Sequence, residues 1–302
     1  MHIPDGFLAT PVWVALGAAG VPAVGYMARR AQEEVDESRA PLLGVMGAFV
    51  FAAQMINFPV GVGTTGHLVG GALLSFTLGP AAAVVVMTAI LAIQALVFQD
   101  GGVLALGANV FNMAIAGVLA GYLPYHYWSS GRRRSAAIFL GGAMSVLVGA
   151  LLALSQLLLS GVRMPPAVVW VSLGLFCVNA VLEGSITLAV MSALERINPG
   201  WLRQPVRAGR SAMGVLVVAS IFLAAVGVLF ASANPDGLEA LAEKLGIAAH
   251  ARSLWETPLA GYEVQFLRNS WLRKAGAGLT GLLLMFGAGL LLSKILSRRR
   301  GA

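Results

Sequence analysis

Among the four histidines of this 302-residue chain, His2 and His67 have neighbours that make metal chemistry available. His2 directly follows Met1. A free α-amine, the amide nitrogen between Met1 and His2, and imidazole Nδ1 close adjacent five- and six-membered chelate rings, so two residues offer three nitrogens. The amide must lose its proton to bind. That demands a strongly Lewis-acidic ion that accepts tetragonal nitrogen coordination, such as Ni(II), Cu(II) or Co(II). It disfavours Mg²⁺ and Ca²⁺, which seek oxygen. One further ligand would fill a square plane, and His67 in GVGTTGHLVGG is the candidate, because glycines let backbone segments approach closely around it. Each residue also has a plainer reading: His2 as part of a solvated terminus, His67 as a helix-packing histidine.

Several residues could support such a site. Pro4-Asp5-Gly6 is a turn signal that could bend the terminus back into the protein, with Asp5 as anchor. Polar side chains inside apolar stretches are costly unless partnered, and Gln54, Asn57, Gln94, Gln99, Asp100, Asn109, Asn112, Asn179 and Glu183 all occupy such positions. Interhelical hydrogen bonding is one account of them. A shell that orients the ligands is the other, and Gln54, Asn57, Gln99, Asn109 and Asn112 join Asp5 as its candidates. His126 in LPYHYWSS fits an aromatic interfacial belt, and His250 a solvated loop. With Cys177 alone, neither an intrachain disulfide nor a thiolate cluster can form. The sequence contains no GxxxxGK[ST], HExxH or GxSxG motif, so any ATP use must come from a partner, and a metalloprotease or serine hydrolase of those kinds is disfavoured.

The elements that position these residues are membrane helices. Hydrophobic residues make up 58% of the chain and charged residues 11%, with a mean hydropathy of +0.82; a bilayer is the natural solvent for that composition. Apolar stretches predict about nine transmembrane helices at roughly 8–28, 41–60, 67–79, 80–98, 110–128, 135–161, 167–194, 211–232 and 275–296. The third is too short to cross alone, and its glycines and the following Pro80 predict a broken or re-entrant piece buried in protein. The net charge of +7 reflects basic clusters between spans, not a nucleic-acid surface. Arg29-Arg30, Arg132 to Arg134, the group Arg196, Arg203, Arg207 and Arg210, and Arg298 to Arg300 fall on alternate connections. The positive-inside rule then places the N-terminus outside and the C-terminus in the cytoplasm of a multi-pass cell-membrane protein. The first residues lack the features of a removable signal peptide, so Met1 is expected to remain at the mature terminus. A shift in composition at 197–211 predicts a domain junction, which divides the chain into 1–205 and 206–302. Beyond it, Asn234 or Asp236 could cap a short helix ending at Gly246, within a long loop between the last two spans.

Four blocks, MHIPDGFL, FVFAAQMINFPV, GTTGHLVGG and QALVFQDGGVLALGANVFNMA, occur in order. They resemble the CbiM/NikM substrate-capture components of energy-coupling-factor transporters, over roughly residues 1–200. NPDGLEALAEKLG and ETPLAGYEV are similar to the PDGLE-type accessory partner found beside or fused to that component. The resemblance implies an all-α membrane protein with a seven-helix capture bundle and a two-helix accessory part bearing an extracytoplasmic loop. It implies uptake of Ni²⁺ or Co²⁺ as substrate, held by the Met1 amine, the His2 amide and imidazole, and His67. The expected partners are a transmembrane coupling protein and ATP-binding subunits, with no cofactor and no enzymatic activity in this chain. A metal sensor that binds without transport, and an intramembrane enzyme using His67 and Glu183, are the rival readings.

Overall fold

The computed structural model describes residues 1–35, 40–198, 210–232 and 234–297. Arg203, Arg207, Arg298 to Arg300 and the 205/206 division fall outside the described residues.

The chain begins with an irregular N-terminal segment that leads into α1, Thr10–Glu34, with Pro11 in its first turn, where a missing N–H costs nothing. Next come α2, Ala40–Gln54, and a small antiparallel hairpin of β1, Phe58–Gly61, and β2, Thr64–Gly66. α3, Gly71–Leu78, has only 8 residues and all of them are buried, the broken piece expected from its glycines. α4, Pro80–Ile93, ends in a wider π-type turn over Gln94–Phe98. α5 runs Leu106–Trp128 and widens to π geometry over Val110–Gly117. α6, Arg134–Leu159, and α7, Pro166–Ile197, form a long antiparallel pair. α8, Arg210–Ala225, precedes the short α9, Gly237–Leu245, and α10, Ser270–Ser297, closes the fold.

Seven helical stretches among the described residues are long and apolar enough to cross a membrane. α2 is apolar but shorter, and α3 is shorter still. The expectation of a span over 41–60 is thus corrected: the helix stops at Gln54 because the chain turns into the hairpin that carries residues 58–66. The hairpin is also the one departure from an all-helical reading among the described residues. Its role is local, since β2 delivers the chain to His67.

α8 and α10 pack on α2, while α9 lies against α7 and β2. The helices alternate in direction. Arg134 at the start of α6 pairs with Glu195 near the end of α7, and Gln32 near the end of α1 bonds the Ile295 carbonyl near the end of α10. At the opposite end, Trp271 Nε1 donates to the Ala225 carbonyl at 2.6 Å. That second end also holds Met1, His67 and the segment between α8 and α10.

Candidate metal centre

The N-terminal segment is threaded into the protein. Met1, His2 and His67 retain 7%, 6% and 6% exposure, which rules out a frayed, solvated terminus. Main-chain pairing secures the segment. Ile3 N–H donates to Asn109 Oδ1 at 2.8 Å, Asn109 Nδ2 returns a bond to the Ile3 carbonyl at 3.0 Å, and Gly102 N–H donates to the same carbonyl at 2.8 Å. Asp5 provides the anchor its position suggested: its carboxylate accepts the N–H groups of Val103 and Ala105, both at 2.9 Å. Gly102 makes room for this, because a Cβ there would lie 2.1 Å from Asp5 Oδ1. From outside, Arg252 N–H donates to the Asp5 carbonyl at 3.0 Å. Gly6, at φ +93°, passes so near that a Cβ would stand 2.0 Å from the His250 carbonyl oxygen.

His67 is positioned from three sides. Its Nδ1–H donates to the Leu68 carbonyl at 2.9 Å, which leaves the Nε2 lone pair free for another partner. Glu183, fully buried on α7, accepts from Val69 N–H at 2.7 Å and Gly70 N–H at 2.8 Å. Gln54 Nε2 donates to the Val69 carbonyl at 2.7 Å, and its Oε1 accepts from Gln94 at 2.7 Å. Both chain ends of the His67 loop are thereby fixed, the first by β2 and the second by these side chains.

The two histidine rings stack with centroids 5.5 Å apart and planes 8° from parallel. The Met1 amine lies 3.0 Å from His67 Nε2. His2 Nδ1 sits 3.1 Å from Asp100 Oδ1, while His2 Nε2 is buried with no hydrogen-bond partner among the described residues. Asp100 also accepts a 2.5 Å bond from Tyr262 Oη, and the Met1 amine is ion-paired with Asp236. Burial, helped by the neighbouring amine and His2, lowers the His67 pKa to about 4, so the ring is neutral near neutral pH. For Asp236, burial pushes upward, but the amine and His67 outweigh it and hold the carboxyl below its ordinary range.

Among the described residues, no three or more His, Cys, Asp or Glu side chains are grouped to hold a metal ion. Main-chain nitrogens of Met1 and His2 lie beside these side chains. Two cavities flank them. One of about 260 Å³ adjoins His2, and another of about 230 Å³ adjoins His67 and Gln54. Asp100, Asp236 and Glu239 line both, giving a cation a negatively charged approach.

The other candidates lie further out. Asn57 borders the second cavity but offers its carbonyl to Ser232 N–H at 2.9 Å. Gln99, at φ +55°, bonds the Trp255 carbonyl. Asn112 pairs with Gln156 between α5 and α6, at 2.9 Å and 2.5 Å, and is not bonded to Met1, His2 or His67. His126 lies among Tyr122 and Tyr127, away from the site. Asp100 and Glu183 stood out in the sequence as costly buried polar residues, Glu183 also beside His67 in the enzyme reading, but neither was among the chosen supporting residues. Sequence reasoning gave Asp236 only a capping role and did not single out Tyr262.

Comparison with known proteins places the chain in a family. Residues 2–201 match the model of the family described as CbiM, cobalt uptake substrate-specific transmembrane region, and residues 210–298 match the PDGLE domain. A fused NikMN protein of Archaeoglobus fulgidus is 36% identical over 267 residues, covering 86% of this chain and 85% of the relative. The fused nickel transport protein NikMN of Rhodobacter capsulatus is 28% identical over 347 aligned positions that span both chains completely. A crystal structure of a truncated transition metal transporter superposes with a TM-score of 0.57 at 33% identity, covering 65% of this chain and 99% of that one. With its membrane helices, its family match and its PDGLE segment, the chain belongs to the CbiM family of substrate-specific metal-uptake proteins and is a transporter component, not an enzyme.

Proposed function

We propose that this chain is the substrate-capture component of an ATP-driven importer of Ni²⁺ or Co²⁺. The ion is taken by the Met1 amine, the His2 amide and imidazole, and His67 Nε2. The observation that carries the reading is the buried Met1 amine 3.0 Å from a neutral imidazole whose other nitrogen is already hydrogen-bonded. Cis donors on one first-row ion stand about 2.9 Å apart, so little movement is needed to admit the metal. To complete the chelate, His2 Nδ1 exchanges its contact with Asp100 for the ion.

Residues 1–205 are the capture part and 206–302 the accessory part. Arg29, Arg30, Arg132 to Arg134 and Arg196 lie at the membrane end opposite Met1, which supports a cytoplasmic placement for them and an extracytoplasmic N-terminus. The partners are a transmembrane coupling protein and ATP-binding subunits, since the chain carries no nucleotide-binding loop. Asp5 and Asn109 hold the N-terminal chelate, and Gln54 holds the His67 loop. Asn57, Gln99 and Asn112 act through helix and loop packing.

The experiment is uptake of radiolabelled Ni²⁺ and Co²⁺ by cells expressing the chain with or without coupling and ATP-binding subunits. ATP-dependent accumulation beyond one ion per chain, only with those subunits present, is the expected result. Stoichiometric binding that those subunits never turn into accumulation would show a sensor instead.

A further inference from the structure

Asp236 divides its carboxylate oxygens between two tasks. Oδ1 accepts the N–H groups of Leu238 at 2.7 Å and Glu239 at 2.8 Å and caps α9, while Glu239 Oε2 accepts Asp236 N–H at 2.9 Å to complete the capping box. Oδ2 turns the other way. It contacts the Met1 amine and lies 3.9 Å from His67 Nε2. An ion seated between the amine and Nε2 would therefore have this oxygen within bonding reach.

We propose that Asp236 is an oxygen donor to the captured ion, so that the accessory part supplies one ligand to a centre otherwise made of nitrogen. This deepens the capture reading and rests on it. Charge balance favours the arrangement. A divalent ion bound to one deprotonated amide, a neutral amine and neutral imidazoles keeps one positive charge, and a buried uncompensated charge is costly. One carboxylate makes the centre neutral. Asp100 holds Tyr262 and Glu239 holds the Asp236 backbone, whereas Asp236 already aims an oxygen toward both the amine and His67 Nε2.

The placement is built by main-chain pairing. Thr65 N–H donates to the Pro235 carbonyl at 2.9 Å, and its Oγ1 to the carbonyls of Asn234 at 3.0 Å and Pro235 at 3.1 Å. A parallel bridge joins Thr65 to Asp236. The residue two before His67 is thus zipped to the segment that carries the carboxylate. Gly237 lets α9 settle on α7, because a Cβ there would already be 3.1 Å from Phe176 Cε1.

The test uses the full chain with an untagged, unblocked Met1, loaded with Co²⁺ and measured by cobalt X-ray absorption, by d–d absorption and by metal titration. Asp236→Asn and Asp236→Ser both retain a side chain that caps helices well, so α9 should persist, while Ser is too short to reach the ion. Asp236→Ser should lose one light donor from the coordination shell, change the d–d bands and weaken Co²⁺ binding by about tenfold or more. Asp236→Asn should shift the bands and the affinity in the same direction, and it decides the matter if the Ser variant does not fold. Spectra and affinities that match wild type in the folded variants overturn the proposal alone, provided His67→Ala weakens binding. If wild type takes up no Co²⁺, or His67→Ala binds as wild type does, the capture reading fails and this proposal falls with it.

Discussion

On its inner side, the N-terminal peptide is held by the bundle through uncharged groups: the Asn109 amide, the backbone of Gly102, and the N–H groups of Val103 and Ala105 that receive Asp5. On its outer side charge meets the peptide, with Asp236 of the accessory part on the Met1 amine and Asp100, hydrogen-bonded by Tyr262, beside His2. The contrast separates two requirements of an ion centre. A frame of satisfied neutral bonds fixes donor geometry without favouring any charge state. A charged wall adjusts the balance when a divalent ion replaces protons. The proposed centre would use both walls, and each should fail differently when altered.

The bundle side should show the larger effects. On the proposed reading His67→Ala removes a ligand, and Ni²⁺ affinity should fall by about a hundredfold or more, since even residues that only support ligands are worth about 10–100-fold; isothermal titration reads this directly. Acidity refines the point. Donors must be deprotonated to bind, so affinity falls as pH falls. His67 is already neutral above about pH 4, so the protons displaced between pH 8 and 5 come from other donors. The slope of affinity against pH in that range should therefore survive in His67→Ala, and a flat profile in the wild type would contradict amine and amide ligation.

Asp5→Ala comes next. It strips one buried and one half-buried N–H group of their acceptor, a local cost of about 2–4 kcal/mol, and it should raise hydrogen exchange at Val103 and Ala105 while loosening the chelate. Unchanged protection at those amides would show that Asp5 is not the anchor.

Glu183→Gln keeps one acceptor oxygen for Val69 and Gly70 and turns an amide N–H₂ toward the other donor. A loss of about 1–3 kcal/mol in stability is expected, with weaker metal binding through a looser His67 loop. Thermal unfolding and titration measured together distinguish it from a direct ligand. On the accessory side, Tyr262→Phe removes one hydrogen bond to the Asp100 carboxylate, worth about 1.5–3 kcal/mol of stability, and should change affinity only a few-fold. A hundredfold loss in this variant would mean that the outer wall also sets the geometry.

Much of the frame was legible in the residues themselves. Apolar runs of the right length announced the membrane helices, and the Gly70-Gly71 to Gly79-Pro80 stretch foretold that α3 would be short and buried. Pro4-Asp5-Gly6 correctly bent the terminus inward, and Asp236 and Gly246 do bound α9. The hairpin at 58–66 was missed because its alternation is too brief to stand out from an apolar run. The Met1–Asp236 ion pair joins residues 235 positions apart, and Glu183 reaches Val69 across 114. Such contacts follow from packing of whole helices, which local pattern does not encode. The polar residues of the apolar runs could be picked out by their cost, but Asn112 and Asn109 looked alike, and helix rotation alone sends the first to Gln156 and the second to Ile3.

In the proposed centre the Met1 nitrogen is itself a ligand. Ni²⁺ titration of the purified chain, carrying either its native amine or one extra N-terminal residue, isolates that nitrogen while leaving every side chain in place. The extended form should keep its fold and lose affinity by at least about a hundredfold. Equal affinity in the two forms would contradict that ligation.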